Sequence, residues 1–278
     1  AALTAAFALA GGIGLHLQHQ APAAAGDTPT LANAAWNPSD PRLSGAAIEL
    51  GAAGRRLGLI ARRRPELEET AALVRSRGGE AHLATADVGD RSELRTAIGA
   101  IESALGPARV LVANAGFGAP THLDPLNIDD VERTFRVNVM GVVYAVEAVL
   151  PGMLARGDGH LVAVSSLAAL KGLPGESAYC ASKAAVDVYM EGLRIALRSR
   201  GVAVATVRPG FVNTTIEPMN AAATPFLISA ETAAKEIARV IDARKSGVVS
   251  FPMRMAALMS LIARLPDFLV ARLVGEGR

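Results

Sequence analysis

Short apolar runs alternate with amphipathic stretches along most of the chain. The apolar runs are continuous, which is typical of strands that are buried on both faces of a parallel sheet. They predict five strands, within RRLGLIARRR (55–64), EAHLATADV (80–88), ARVLVANAG (108–116), GHLVAVSS (159–166) and VAVATVRPG (202–210).

The stretches between these strands have the pattern of helices. In the first of them, Pro65 stands in the first turn and Gly78 follows the last basic residues, which are start and stop signals in the expected order. The predicted helices are PELEETAALVRSRGG (65–79), GDRSELRTAIGAIESALG (89–106), NIDDVERTFRVNVMGVVYAVEAVLPGML (127–154) and SAYCASKAAVDVYMEGLRIALRSRG (177–201). This alternation predicts an α/β fold: a doubly wound, Rossmann-like parallel sheet with helices on both faces, in a single domain spanning residues 1–278.

Composition adds limits to the function. The chain has 278 residues, of which 51 % are apolar, and a formal net charge of +2. No stripe of Arg and Lys interleaved with aromatic residues occurs, so we expect no nucleic-acid partner. No Cys, His and acidic cluster completes a metal site, so we predict no metal. The single cysteine, Cys180, fits a reducing compartment, and we expect a cytoplasmic protein.

The N-terminal region departs from the regular alternation. The first fifteen residues lack the basic region of a signal peptide and are too short to span a bilayer, so we interpret them as the start of the fold. Ala21–Ser44 is rich in Pro, Ala, Asn and Asp, which is typical of a loop or linker. Residues 15–44 are therefore expected to form an atypical segment, an insertion or a loop.

Polar or small residues follow each predicted strand, at the edge where open parallel sheets bind ligands. A purely structural sheet would not need this regularity, so this edge is the candidate site. The residues are Arg62 and Arg63, Asp87 and Val88, Asn114, Ala115 and Gly116, Ser165 and Ser166, and Pro209 and Gly210.

A tyrosine and a lysine share one face of the helix predicted over residues 177–201. Tyr179 and Lys183 are four residues apart, so their side chains are neighbours. A free phenol has a pKa near 10 and is a poor base at neutral pH. A cation within about 4–6 Å favours the phenolate, so we expect Lys183 to lower the pKa of Tyr179 and to make it usable for proton transfer.

The chain resembles the short-chain dehydrogenase/reductases of the single-domain type, from roughly Gly45 to Thr215. A lone Tyr-x-x-x-Lys would carry almost no information, but five features in order and in register are specific. They are Asn114-Ala115-Gly116, Asn138 in RVNVMG, Ser166 in VAVSS, Tyr179 with Lys183 in YCASK, and RPGFVNT at 208–214.

The resemblance implies four catalytic residues, Asn138, Ser166, Tyr179 and Lys183. Ser166 would hydrogen-bond a substrate carbonyl oxygen and Tyr179 would transfer the proton, while hydride moves between a nicotinamide and the carbonyl carbon. Lys183 would also bind the nicotinamide ribose, and Asn138 would support a water relay. Ser165 is the alternative serine, although the spacing to Tyr179 favours Ser166. Further cofactor contacts implied are Asp87 and Val88 against the adenine, Asn114, Ala115 and Gly116, and Pro209, Gly210, Val212 and Thr214.

The phosphate-binding glycine motif is where the pattern breaks. Its best candidate is FALAGGIGLHLQ, in which Gly12, Ile13 and Gly14 take the last three positions and Phe7-Ala8 replaces the usual Thr-Gly. Leu57 lies 43 positions after Gly14, whereas a crossover helix needs on the order of a dozen residues. Either a segment is inserted after Gly14, which we favour, or the N-terminus is not homologous. The second case suggests another function, a non-catalytic dehydrogenase-like protein that binds nucleotide poorly.

The strand end LIARRR distinguishes the two nicotinamide cofactors. An NAD enzyme of this fold places an acid there for the ribose 2′-hydroxyl, but no acid occurs before Glu66. Arg62, with Arg63, can meet a 2′-phosphate through a charge-assisted contact. We therefore expect NADP(H), with NAD(H) as the second candidate. The alternative is that these arginines only solvate a loop.

Apolar surfaces predict the partners. The helices with Asn138 and Tyr179 are apolar over more than one face, and the family commonly pairs them, so we expect a homodimer or homotetramer.

The resemblance implies that the stretch IEPMNAAATPFLIS is the lid that covers the substrate. Glu217 is its only charge, which predicts a small hydrophobic carbonyl or alcohol substrate. The apolar residues of this lid position are Met219, Pro225, Phe226, Leu227 and Ile228. The tail at 251–278 predicts one or two amphipathic helices that line the site, a subunit contact or a membrane surface, or that only fill the core.

Overall fold

An eight-stranded sheet forms the centre of the protein in a computed structural model that describes residues 15–17, 30–33, 49, 55–213 and 224–274. The spatial order is β10-β7-β6-β5-β1-β2-β3-β4, and every pairing is parallel except those of β1. The strands are β1 (Leu15–Leu17), β2 (Thr30–Asn33), β3 (Arg56–Ala61), β4 (Glu80–Thr85), β5 (Val110–Ala113), β6 (Gly159–Val164), β7 (Val202–Pro209) and β10 (Gly247–Phe251). A separate pair, β8 (Val212–Asn213) and β9 (Ile228–Ser229), is also parallel.

Helices cover both faces of the sheet, which confirms the predicted doubly wound α/β fold. One hydrophobic cluster joins the sheet to α2, α4 and α5, and a second joins it to α1 and α6. Consecutive strand residues such as Leu111 and Val112 belong to opposite clusters, which explains why the apolar runs are continuous. The helices are α1 (Arg64–Ser76), α2 (Arg91–Leu105), α3 (Ile128–Phe135), α4 (Gly141–Arg156), α5 (Ser177–Ala196), α6 (Ala230–Asp242), α7 (Met253–Ile262) and α8 (Asp267–Val274).

The helix ends follow the local signals in the sequence. Pro65 lies in the first turn of α1, where its missing N–H costs nothing. Asp90 caps α2 and accepts hydrogen bonds from the backbone N–H groups of Ser92 and Glu93. Gly157 ends α4 in the left-handed conformation, at φ 63°.

The long helix predicted over residues 127–154 is present but contains a π-helical turn. Arg136–Met140 forms this turn between α3 and α4. The helical run Ile128–Arg156 has 29 residues and contains an 18-residue window with a mean hydropathy of 1.6, so by length and composition alone it could cross a membrane. Its residues Val142, Val146 and Val149 are buried in the sheet core, a position that accounts for its apolar character.

The structure differs from the sequence analysis at the N-terminus. Gly12, Ile13 and Gly14 lie outside the described residues, but Leu15–Leu17, which would begin a helix after that motif, form a strand antiparallel to β5. Thr30–Asn33, within the expected loop, form a strand between β3 and β5 and parallel to both. Since ligands bind after the carboxyl ends of such strands, a phosphate loop on β2 would follow Asn33 in the chain, whereas the three predicted residues precede it.

Two C-terminal elements were not predicted, and two were. α6 and β10 follow the lid position, and β10 adds an edge strand parallel to β7. α7 and α8 occupy the predicted apolar tail. Met255, Met259 and Val270 pack in a third cluster with Tyr179, so the tail contributes to the core beside the candidate site.

Candidate active site

The carboxyl edge of the sheet gathers most of the predicted site residues. Asn114–Gly116 follow β5, Ser165 and Ser166 follow β6, and β7 ends at Pro209. α5 packs beside this edge, against the 3₁₀ turn Leu167–Leu170 that begins at Ser166.

Tyr179 and Lys183 are completely enclosed on one face of α5. Their exposed fractions are 0 % and 1 %. Lys183 Nζ donates to the carbonyl oxygen of Val164, at the end of β6, at 3.0 Å, and lies 5.8 Å from the centre of the Tyr179 ring. The hydroxyl of Ser166 is hydrogen-bonded to the Tyr179 side chain. Three groups of the predicted tetrad are thereby brought together.

The protonation of this pair differs from the expectation that Lys183 lowers the pKa of Tyr179. Burial raises the pKa of Tyr179 above its ordinary value, and the hydrogen bond with Ser166 opposes that rise. Burial also lowers the pKa of Lys183 to about 8. The physical reason is desolvation, which penalises the charged form of both groups. Tyr179 is therefore a neutral phenol at physiological pH.

The two candidate serines face different partners. Ser165 Oγ donates to the carbonyl oxygen of Lys183 at 3.1 Å, so it joins β6 to α5. Ser166 Oγ accepts from the N–H of Ala168 at 3.1 Å and contacts Tyr179. The geometry thus favours Ser166 over Ser165 as the serine beside the phenol.

Asn138 lies in the π-helical turn and is fully buried. Its Oδ1 accepts from the N–H of Phe117 at 2.7 Å, and its Nδ2 donates to Phe117 O at 2.9 Å and Ser182 Oγ at 2.8 Å. Ser182 Oγ in turn donates to Tyr179 O at 2.8 Å. π-turns occur frequently at functional sites, and this one links the segment after β5 to the helix of Tyr179.

Several residues on the same edge suit a nicotinamide dinucleotide. Asn114 is buried, and its Nδ2 has no hydrogen-bond partner among the described residues, so it is free to donate to a ligand. Arg62 is 40 % exposed and pairs loosely with Asp87 at 3.8 Å, while Arg63 pairs with Glu66 at 3.1 Å. The residues present therefore fit the cofactor at the adenosine and strand-edge positions.

Two of the predicted cofactor residues have structural constraints of their own. The side chain of Val88 is 0 % exposed and packs against Gly141, so only its backbone could meet an adenine. A Cβ on Gly210 would lie 3.2 Å from Met255 and 3.3 Å from Leu167, so α7 and the 3₁₀ turn pack closely against this glycine. Val212 is half-buried in β8, and Thr214 lies outside the described residues.

Other buried polar residues near the site were missed by the sequence analysis. Glu176, directly before α5, is 3 % exposed and raises the pKa of Tyr179. Asp187 and Arg208 form an ion pair at 2.8 Å. The four-residue spacing from Lys183 to Asp187 in the sequence could have indicated that Asp187 lies beside Lys183 on the helix. Cys180 is buried, and burial raises the pKa of its thiol to about 11.

A cleft of about 700 Å³ lies away from these residues, around the amino end of β7. Two of its three arginines are already engaged: Arg194 Nη2 donates to Thr206 Oγ1 at 3.0 Å, and Arg244 Nη2 donates to Gly201 O at 2.8 Å. None of the predicted site residues lines this cleft, so the carboxyl edge remains the candidate site.

Comparisons with known proteins agree with this geometry. The family description of the short chain dehydrogenases matches residues 44–225. An uncharacterized oxidoreductase of Myxococcus xanthus is 35 % identical over 223 residues, which cover 80 % of this chain and 88 % of the relative. The human 17-beta-hydroxysteroid dehydrogenase 13 is 34 % identical over 151 residues, 53 % of this chain and 50 % of that protein.

The fold has close counterparts among solved structures. The crystal structure of levodione reductase aligns with a TM-score of 0.71 at 22 % identity, covering 78 % of this chain and 93 % of that chain. The family match spans most of the described sheet and contains the carboxyl-edge residues from Arg62 to Gly210. The chain therefore belongs to the short-chain dehydrogenase family and is an NAD(P)-dependent oxidoreductase.

Proposed function

We propose that this protein reduces a hydrophobic ketone or aldehyde to the alcohol, with NADP(H) as cofactor and Tyr179 as the general acid/base. The observation that carries the proposal is the enclosed group of Ser166, Tyr179 and Lys183 at the carboxyl edge. It holds a neutral phenol and a hydroxyl beside a buried cation, which is the arrangement that a developing alkoxide needs.

Each group has a distinct part in the proposed reaction. The bound cofactor supplies hydride to the carbonyl carbon. Ser166 orients the carbonyl oxygen, and Tyr179 Oη donates its proton to that oxygen as negative charge develops. Lys183 then stabilises the phenolate that remains. The raised pKa of Tyr179 keeps the phenol protonated before reaction, as the general acid of a carbonyl reduction must be.

The preference for NADP(H) rests on Arg62 and Arg63. The loose pairing of Arg62 with Asp87 leaves its guanidinium partly exposed, and a 2′-phosphate is a stronger partner than a single distant carboxylate. NAD(H) is the alternative, since Asp87 lies at the same edge. We expect the Arg62→Ala/Arg63→Ala variant to raise KM for NADPH at least tenfold and to change KM for NADH little.

Arg64→Ala is the matched control for the cofactor experiment. Arg64 continues the same basic run but is 67 % exposed and paired with Glu68 on α1. The KM of the Arg64→Ala variant for NADPH should remain that of the wild type. A wild-type enzyme with higher kcat/KM for NADH would refute the preference. Absence of any binding in a titration with NADPH and NADH would favour the non-catalytic alternative.

The described end of the lid position supports a hydrophobic substrate. Phe226 is 40 % exposed, and Leu227 packs against the cluster that contains Tyr179 and Met255. Met219 and Glu217 lie outside the described residues. The human relative is named as a hydroxysteroid dehydrogenase, which is consistent with an apolar substrate. A turnover screen of apolar ketones, steroids, sugars and acyl-thioesters tests the class, and a sugar as best substrate would overturn it.

A homo-oligomer paired through α4 and α5 is part of the proposal. Val188 and Ile195 are seven positions apart on one face of α5 and are 67 % and 72 % exposed. We expect a dimer or tetramer in sedimentation, and dissociation in Val188→Glu/Ile195→Glu. Leu73→Glu, on α1 and 37 % exposed, is the control that should leave the assembly intact.

The C-terminal helices could also carry a membrane contact. Met253, Leu261 and Phe268 are 75 %, 59 % and 66 % exposed, and Arg254, Arg264 and Arg272 supply positive charge beside them. Flotation with phosphatidylcholine vesicles, with and without phosphatidylserine, tests this. Binding that is absent from both kinds of vesicle would refute the contact and leave a cytoplasmic enzyme.

A further inference from the structure

Three ionisable residues occupy successive turns of α5. Tyr179, Lys183 and Asp187 are spaced by four residues and lie on one face, and all three are buried. The first two belong to the proposed reaction. Asp187 has no part in the tetrad and needs its own explanation, because an uncompensated buried carboxylate is costly.

Arg208 holds the Asp187 carboxylate in place. Arg208 Nε donates to Asp187 Oδ2 at 2.8 Å, and the two side chains are 22 % and 8 % exposed. Arg208 belongs to the end of β7, directly before Pro209 and Gly210. The ion pair therefore joins the helix of Tyr179 to the strand that leads to this segment.

We propose that Asp187, anchored by Arg208, is a positioning residue that supplies the counter-charge for the Lys183 ammonium. The ammonium itself donates to Val164 O, so Asp187 acts through space rather than by a direct bond. Its action on turnover rests on the proposed function, whereas its action on Lys183 does not.

The electrostatics of the two groups are mutual. Burial lowers the pKa of Lys183 to about 8, and Asp187 is the described charge that opposes this lowering. Burial raises the pKa of Asp187, and the Ser165 hydroxyl, Arg208 and Lys183 oppose that rise. Each charge thus stabilises the other in an environment that disfavours both.

Among the residues that the structure describes, few other groups face Lys183. α5 contributes Tyr179 and Asp187, and β7 contributes Arg208 through Asp187. β6 contributes the carbonyl oxygen of Val164. Tyr179 is neutral at physiological pH, so it does not compete with Asp187 as a counter-charge. Removing the carboxylate should therefore let Lys183 lose its proton at lower pH.

Nuclear magnetic resonance of the lysine Nζ and Cε atoms in the cofactor-free protein tests this directly. The Lys183 signal is assigned by its loss in Lys183→Met and titrated from pH 6 to 10. In Asp187→Asn we expect the Lys183 pKa to fall by about one or more, as an opposite charge at close range dictates. Asp187→Glu should restore most of the wild-type value. An unchanged Lys183 pKa in Asp187→Asn would overturn the proposal.

Asp242→Asn is the matched control. Asp242 also pairs with a buried arginine, Arg55, but does so from the end of α6. It should destabilise the fold through a lost ion pair and leave the Lys183 titration unchanged. A shift of equal size in this control would mean that a general loosening of the protein moves the Lys183 pKa, which would also overturn the proposal.

Asp187→Ser gives an independent test if Asp187→Asn does not fold. It also removes the carboxylate, so the Lys183 pKa should fall as in Asp187→Asn. An unchanged or raised Lys183 pKa in Asp187→Ser would contradict the proposal. In kinetics, the alkaline limb of kcat/KM for carbonyl reduction should move to lower pH in Asp187→Asn. If the lysine titrations shift as expected but no substrate is reduced, the proposed function fails and this inference stands.

Discussion

Replacing Lys183 by methionine should remove activity and make the folded protein more stable at neutral pH. Burial moves the pKa of this ammonium from its usual 10.5 to about 8. A shift of this size corresponds to about 3 kcal/mol of unfavourable free energy for the charged form. The lost hydrogen bond to Val164 O offsets about 1 kcal/mol of the gain. We therefore expect Lys183→Met to raise the free energy of unfolding at pH 7 by about 2 kcal/mol.

The pH dependence of this difference is the sharper measurement. Between about pH 8 and 10.5 the unfolded wild-type chain binds more protons at Lys183 than the folded protein does, so wild-type stability rises with pH in this window. Integration from pH 7 to pH 10 gives the wild type a gain of roughly 2 to 3 kcal/mol. The stability advantage of Lys183→Met, about 2 kcal/mol at pH 7, should therefore have vanished by pH 10. Urea unfolding of both proteins at several pH values in this range gives the difference.

The control for this experiment is Lys245→Met. Lys245 is exposed, so its removal should leave the pH dependence of wild-type stability in place. A difference between Lys183→Met and wild type that does not change with pH would refute the reasoning. A lower stability of the variant at pH 7 would also refute it, because the ammonium would then stabilise the fold.

Four other substitutions test three separate features. Tyr179→Phe should remove more than nine tenths of turnover, a loss above ~1.4 kcal/mol of transition-state stabilisation, and should leave the cofactor Kd unchanged; more retained activity would mean that another group transfers the proton. Burial lowers the pKa of His160 from 6.5 to about 4. The free energy of unfolding of the wild type should therefore fall by about 3 kcal/mol as the pH falls through this window, because the unfolded chain binds the proton more readily. Acid titrations of unfolding should show that His160→Gln lacks this fall. Gly201→Ala should cost at least ~2 kcal/mol, since its φ is 74° and a Cβ would collide with Gly157 O, while Gly99→Ala, in open space within α2, should stabilise by roughly 0.5–1 kcal/mol; thermal unfolding compares the two.

The sequence by itself determined the alternation of elements from β3 to β7. Most of these strands are buried on both faces, β4 less than the others, and the helices between them are buried on one face, so the apolar pattern of each element reflects its own environment. The four-residue spacing of Tyr179 and Lys183 was also sufficient to place them on one helix face, and the position of Ser166 beside them was implied by the resemblance to the short-chain dehydrogenase/reductases. The fold and three residues of the candidate site could thus be predicted.

The tertiary structure decided what depends on distant parts of the chain. Thr30–Asn33 lie in a region of loop composition, but they pair between β3 and β5, and strand pairing across the sheet is not encoded locally. The π-helical turn places Asn138 against Phe117, and Arg208 pairs with Asp187 across 21 positions in the chain. The direction in which the pKa of Tyr179 is shifted was likewise not predictable from its spacing to Lys183. Spacing shows that a cation is near, whereas desolvation depends on how completely α7, the 3₁₀ turn and the rest of the third cluster exclude water from the phenol.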